Sequence, residues 1–372
     1  MRSVFSGVFG LQYGDEGKGK ITAAMAASRA FSLVARYNGG PNAGHTIIVD
    51  DKVVKTRQLP CGVLYGVTSY IGPGTVLDLA KLNLEVEHVS DTLNIDVRSK
   101  LIIDPRVPLI EEEEIEQDRL YYSKNGTAST GSGIAPAYSK YYARKANLVG
   151  DRSLTYKVSK IDFHKKAPYK KVLLEGAQGF WLDIIHGEYP NTTSSHCNPT
   201  HAATSFGFSP YAFNRLVGVA KCYETRSGVD DNFMRRTNYF GSVTYANPDD
   251  INHLPGVDIE AIYDQVQIIG GEFGVNTGRK RACKPLDLSR LAYAVNASGA
   301  TEIVIQKLDV LRKLNAWYLY QDSNLFFYEN EADFKNHINN YLKSECVQIS
   351  VIHWLDTPKA TWDRTMRHFT ND

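Results

Sequence analysis

Short apolar runs recur along the chain, with amphipathic stretches between them. Val4–Phe9, Leu33–Tyr37, Thr68–Gly72, Leu101–Ile103, Val172–Glu175, Val217–Tyr223, Glu302–Gln306 and Val347–His353 each have the length and continuity of a buried strand. Apolar residues at helical spacing mark Leu77–Val89, Leu286–Ala297 and Glu331–Leu342. This alternation predicts an α/β fold, a central and mainly parallel sheet with flanking helices. Ile47–Val54 reads as a small hairpin turning at Asp50-Asp51, and the acidic run Glu111–Glu114 as a solvated helix start. From Ser227 to Gly270 the periodicity is weak, which predicts loops and a short subdomain inside a single unit spanning 1–372.

Composition narrows the class. With 372 residues, 43% hydrophobic and 22% charged, the chain resembles an ordinary globular protein. A formal net charge of +1 supplies no global basic field, which argues against nucleic-acid and membrane partners. Neither an apolar stretch of about 18 residues nor a signal-peptide pattern occurs, so a cytoplasmic location is expected. Cys61, Cys197, Cys222, Cys283 and Cys346 are scattered and odd in number, which suits reduced thiols. His196-Cys197 with His201 is the one metal-like grouping, and Pro199 between them argues against it.

The chemistry is concentrated after the first strand. Gly10, Gly14, Gly17 and Gly19 let backbone N–H groups approach an anion, and a helix-forming run, Ile21–Ala30, follows. Lys18 and Lys20 add positive charge to this phosphate cradle. It is not a Walker A loop, because Gln12 stands where a glycine is needed and Gly19 where a hydroxyl is needed. Asp15 and Glu16 lie where phosphate would repel them, unless Asp15 binds Mg²⁺ or acts as a base. A second flexible loop, Asn38–Thr46, closes on His45, which could donate a proton or stabilise phosphoryl charge. Thr127–Gly133 resembles a further cradle with hydroxyl donors, and Gln178 follows a strand where an amide can read a heterocycle edge. Asn276–Arg281 packs cations suited to carboxylates, and Lys307-Leu308-Asp309 has the Lys-x-Asp form that reads guanine.

In this order and spacing, the blocks GLQYGDEGKGK, NGGPNAGHT, RQLPCGV, TASTGSGIAPAY, EGAQGFWLDIIHGEYPNTTSS, EFGVNTGRKR and QKLDVL resemble the adenylosuccinate synthetase family, a short archaeal-like form of it. The resemblance implies a homodimeric GTP- and Mg²⁺-dependent ligase that joins L-aspartate to C6 of a 6-oxopurine nucleotide through a 6-phosphoryl intermediate. It implies Asp15, His45 and Gln178 as catalytic residues, with Mg²⁺ on Asp15 and the Gly44 carbonyl. Gly14, Glu16, Gly17, Lys18, Gly19 and Lys20 would hold nucleotide phosphates, with Lys307 and Asp309 on the guanine. Asn42, Ser129, Thr130, Gln178 and Thr193 would bind the purine monophosphate, with Arg144 given across the dimer interface. Asn276, Thr277, Arg279 and Arg281 would hold the aspartate.

Departures point to a branch. Thr225-Arg226-Ser227-Gly228 keeps only the start of a longer family stretch, Cys283-Lys284 replaces a Gly-Trp, and the segment around His353–Pro358 differs from the family's closing loop. Pro41 and Cys197–Thr200 look closer to the phage synthetases that convert dGMP to N6-succino-2-amino-2′-deoxyadenylate for 2-aminoadenine DNA. That reading implies dGMP as substrate, and the host cytoplasm as location; IMP is the alternative. Members of that branch tend to carry Ser where this chain keeps Asp15 and to use ATP. The Lys307–Asp309 motif implies GTP as donor here, with ATP the alternative. A non-catalytic GTP-binding homologue would have lost Asp15 or His45, and both are present.

Overall fold

Strand β1 (Val4–Gly10) lies in the middle of a parallel sheet, buried from its second residue onward. The computed structural model describes residues 3–125, 129–163, 169–227, 233, 258–274, 278–322 and 324–356. On one side of β1 lie β8 (Lys171–Glu175), β2 (Leu33–Arg36), β5 (Ser69–Ile71), β6 (Leu101–Ile103) and β7 (Lys157–Val158), in that order. On the other side lie β9 (Phe213–Lys221), β12 (Glu302–Gln306) and β15 (Val351–Trp354). The pairings Val8↔Glu175, Val8↔Val217 and Val34↔Leu173 are all parallel. Strands buried on both faces have no polar side to show, which is why they read as continuous apolar runs.

Helices cover the sheet: α1 (Lys18–Ala27), α2 (Leu79–Leu93), α3 (Glu112–Asn125), α4 (Ile134–Tyr142) and α5 (Thr200–Phe206) in the first part of the chain. Later come α6 (Ile259–Ile269), α7 (Leu288–Ser298), α8 (Leu308–Leu314) and α9 (Glu331–Glu345). Asp78 caps α2 by accepting from Lys81 N, and Leu82, Val86 and Val89 bury its inner stripe. Each such side chain contributes roughly 1.5–3 kcal/mol on burial. Among the described residues, no helix is long and apolar enough to cross a membrane.

Several expectations need correction. The hairpin turns at Asp50-Asp51 as expected, but its strands β3 (His45–Val49) and β4 (Lys52–Thr56) extend further at both ends, so it begins at His45 itself. Leu286 and Asp287 belong to a strand, β11 (Arg281–Asp287), and the helix starts only at Leu288, with Asp287 as its cap. Val347 is 91% exposed and the last strand begins at Val351. Glu114 is not solvated: it is buried and paired with Lys140. Part of the Ser227–Gly270 region is the amphipathic helix α6, capped by Asp258; residues 228–232 and 234–257 lie outside the described residues. A second, mixed sheet was not expected: β10 (Tyr223–Ser227), β11, β13 (Tyr318–Gln321) and β14 (Asn324–Phe327).

Candidate active site

Parallel strands put all their carboxyl ends on one edge, and the loops leaving β1, β2, β8 and β12 converge there. After β1 the backbone turns left-handed at Gly14 (φ 84°), Asp15 (φ 59°) and Gly17 (φ 84°), a conformation that aims N–H groups into a concavity. Gly17 then opens α1 without a side-chain cap, so no side chain competes for the N–H groups of Lys18 and Gly19, while Lys20 N donates to Gly17 O at 3.1 Å. A side chain at Gly19 is impossible: its Cβ would lie 2.6 Å from His45 Cβ. The two adjacent acids part company. Glu16 is buried beneath the loop, accepting from Gln12 N at 3.1 Å, Gly14 N at 2.8 Å and Lys18 Nζ at 2.9 Å. Asp15 faces the cavity, with its side chain 35% exposed.

His45 is buried against the end of β8. Its Nδ1 lies 2.8 Å from Glu175 Oε1, while Nε2 has no partner among the described residues. Donation from Nδ1 to Glu175 fixes the tautomer and leaves Nε2 as the free ring nitrogen. Burial pushes His45 below the ordinary histidine value, and the hydrogen bond and charge of Glu175 pull it back up. Glu175 is itself held: Cys61 N donates to Oε2 at 2.7 Å, and Arg36 Nη1 lies 3.5 Å from Oε1. His45, Cys61 and Glu175 have metal-like spacing, but burial pushes the Cys61 thiol well up and Arg36 already supplies the positive charge. The grouping is a hydrogen-bonded brace for the histidine.

A cavity of about 480 Å³ lies between these loops. Gly14, Asp15, Lys18, Gly44 and His45 line one wall. Asn42, Ser129, Thr130, Gln178 and Thr193 also line it, so these expected purine-site residues share one space. Asn42 Nδ2 lies 3.5 Å from Thr193 Oγ1, joining two loops far apart in sequence, and Ser129 is fixed by Asp118 Oδ1 at 2.9 Å. Gln178 is left-handed (φ 56°), and both atoms of its buried amide lack partners among the described residues. Leaving such a group unpaired costs about 1–3 kcal/mol, which a heterocycle edge would recover. Arg144 lies outside this cavity, exposed at the end of α4.

The donor and amino-acid residues lie to one side. Lys307 stands at the start of α8, its Nζ donating to Gly270 O at 2.9 Å, and Asp309 is in the helix's first turn. Burial lowers the pKa of Lys20, with the charge of Asp309 acting the other way. Arg281 is buried and forked: Nη2 is 2.9 Å from Asp15 Oδ2 and Nη1 is 2.7 Å from Glu272 Oε2. Arg279 is exposed; Asn276 and Thr277 lie outside the described residues. Two residues missed by sequence reasoning emerge, Glu175 and Glu272. An acid closing the apolar run Val172–Leu174 was a signal for the first; nothing local marked the second. Asp15 and the Gly44 carbonyl are hard oxygen donors, and with substrate phosphates they suit Mg²⁺.

Comparison with known proteins gives a consistent answer. The adenylosuccinate synthetase family model matches residues 7–161 and 152–322. The adenylosuccinate synthetase of Chlorobium phaeobacteroides is 33% identical over 355 residues, covering 82% of this chain and 76% of that protein. That of Psychrobacter arcticus is 34% identical, covering 82% and 77%. Among solved structures, the fully ligated adenylosuccinate synthetase of Plasmodium falciparum superposes with a TM-score of 0.73 at 23% identity, over 95% of this chain and 97% of that one. The cyanophage S-2L succinoaminodeoxyadenylate synthetase, bound to dGMP and to dATP as an energy donor, gives 0.63 at 19% identity, over 92% and 100%.

Proposed function

The chain belongs to the adenylosuccinate synthetase family, carbon–nitrogen ligases that use GTP, and from that premise we propose that it joins L-aspartate to C6 of a 6-oxopurine nucleoside monophosphate, with dGMP as the first candidate. One observation carries the reaction: Asp15, His45 and the unpartnered Gln178 amide line one cavity beside the uncapped start of α1.

A 6-oxo group leaves poorly, so it must first be phosphorylated. Asp15 takes the proton from N1, which places charge on O6 for attack on the γ-phosphorus of GTP. The backbone of residues 14–20 and Lys18 hold the phosphates, and His45, charged as the imidazolium that Glu175 favours, donates from Nε2 to the bridging oxygen that departs with GDP. The amine of L-aspartate then displaces phosphate from C6, with Arg279 and Arg281 holding its carboxylates. Gln178 reads the purine edge, and Asn42, Ser129, Thr130 and Thr193 hold the monophosphate. Mg²⁺ on Asp15 and the Gly44 carbonyl would neutralise the transferred phosphoryl group. Lys307 and Asp309 favour guanine as the donor base over adenine, and Arg144 would reach the partner's site in a homodimer.

Pro41 and Cys197–Thr200 support dGMP, by their likeness to the phage branch. Asp15 supports IMP as a second reading, because that branch tends to carry Ser there. The test is phosphate release with aspartate and Mg·GTP, comparing IMP, GMP and dGMP at equal concentration. Turnover with dGMP and little with IMP bears out the first reading. Turnover with IMP alone makes the chain an enzyme of AMP synthesis, and release with none of the three overturns the proposed reaction.

A further inference from the structure

One carboxylate outside the cavity gathers cations from both neighbouring subsites. Glu272, just after α6, is 1% exposed. Its Oε2 lies 2.7 Å from Arg281 Nη1 and 3.3 Å from Lys221 Nζ. Its Oε1 accepts from the Tyr223 hydroxyl at 2.7 Å and lies 3.7 Å from Lys307 Nζ. The three cations come from three strand ends: Lys221 closes β9, Arg281 opens β11 and Lys307 follows β12.

The backbone ties the same elements together. Arg281 N donates to Glu272 O at 3.0 Å, and Lys307 Nζ donates to Gly270 O at 2.9 Å. Gln267 of α6 steadies the turn from behind, its amide donating to Glu272 O at 2.9 Å. A buried carboxylate without partners would be costly, and three cations without a counter-charge would drive one another apart. Burial pushes Glu272 up, yet Lys221, Lys307 and Arg281 bring it down to about 2, so it stays an anion at neutral pH.

Geometry gives the carboxylate a job beyond neutralising charge. Arg281 is held by both arms of its fork, Nη1 on Glu272 and Nη2 on Asp15, which fixes the guanidinium plane. Lys307 is held at the other oxygen's side. We propose that Glu272 is a positioning residue, setting Arg281 and Lys307 from one buried carboxylate so that the amino-acid subsite and the donor-base subsite stay in register. This rests on the functional reading above, which assigns Arg281 to L-aspartate and Lys307 to the guanine of GTP.

Glu272→Gln tests it, keeping the shape and removing the charge. In steady-state phosphate release, KM for aspartate and KM for GTP both rise about tenfold, while KM for the purine monophosphate stays within about twofold. Glu272→Asp recovers part of the loss. A variant that loses only kcat, or only folded fraction, with both KM values unchanged, overturns the proposal. If Glu272→Gln does not fold, Tyr223→Phe replaces it: freeing Oε1 changes KM for GTP, and unchanged KM values overturn the proposal. If the unmodified protein releases no phosphate with any purine, the functional reading fails by itself. Glu272 is then judged by calorimetric titration with Mg·GTP: binding about tenfold weaker in Glu272→Gln supports its role, and equal binding overturns it.

Discussion

Asp15 Oδ2 and Arg281 Nη2 lie 2.9 Å apart, so the proposed base and a proposed amino-acid-binding cation begin as one ion pair. The pair links the loop after β1 to the first residue of β11, in the second sheet. An arginine shared between Asp15 and Glu272 can exchange Asp15 for a substrate carboxylate at Nη2 without leaving a buried charge unpaired, because Glu272 keeps hold of Nη1.

Replacing Asp15 with Ala removes the base and a Mg²⁺ ligand together. Turnover should fall by roughly a hundredfold or more with every purine monophosphate. Phosphate release under saturating GTP and aspartate measures it. Activity retained within about tenfold would mean that another group takes the N1 proton.

Replacing Arg281 with Ala acts on a different constant. It should raise KM for aspartate through loss of a charge-assisted pair, about 1.5–3 kcal/mol. KM for the purine monophosphate should hardly move, since Arg281 does not line the purine cavity. Equal rises in both would assign the arginine to the purine instead.

The His45–Glu175 contact predicts a kcat effect. Glu175→Gln can still accept from Nδ1, but it loses the charge that favours an imidazolium when phosphoryl charge develops. kcat should drop by about ten- to a hundredfold, with substrate KM values nearly constant. A change confined to KM would make Glu175 a packing residue.

The cradle and the parallel sheet were legible for physical reasons. Glycines after an apolar run leave few other conformations, and Val4–Phe9 and Val172–Glu175 had no polar face to hide. The second sheet was not legible in part because two of its buried positions carry a charged pair. Glu224 and Lys284 are both buried, 3.2 Å apart, and neither residue alone signals an interior strand. Val347 misled in the opposite sense, an apolar residue at the surface. For the site, sequence singled out Asp15, His45, Asn42, Gln178 and Thr193, which now line one cavity. It passed over Glu175 and Glu272, whose roles depend on partners distant in the chain.

The guanine reading predicts a switch in donor preference. Asp309→Asn should weaken GTP by roughly 2–3 kcal/mol through loss of a charge-assisted pair, with little effect on ATP. The ratio of kcat/KM for the two donors, measured at fixed purine and aspartate, reports it. An unchanged ratio would place base recognition elsewhere than the first turn of α8.

Acid sensitivity follows from Asp183, which braces the loop bearing Thr193. Its fully buried carboxylate accepts from Ile185 N at 2.8 Å, Cys197 N at 2.5 Å and Asn198 N at 3.3 Å. Burial alone would raise its pKa, but His196 and these N–H groups lower it from 3.8 to about 2. A depressed carboxylate stabilises the fold above its unfolded pKa, and that stabilisation is lost as pH falls through the folded value. The window therefore runs from about pH 4 to 2 and contains about 2 kcal/mol. His201, lowered by burial to about 4, adds a loss of the same sign that begins nearer pH 6. Urea unfolding across this range should show stability falling steadily with acid, and Asp183→Asn should be weaker at pH 7 yet less sensitive below pH 4. Equal acid slopes in the two proteins would mean that Asp183 is not what the acid attacks.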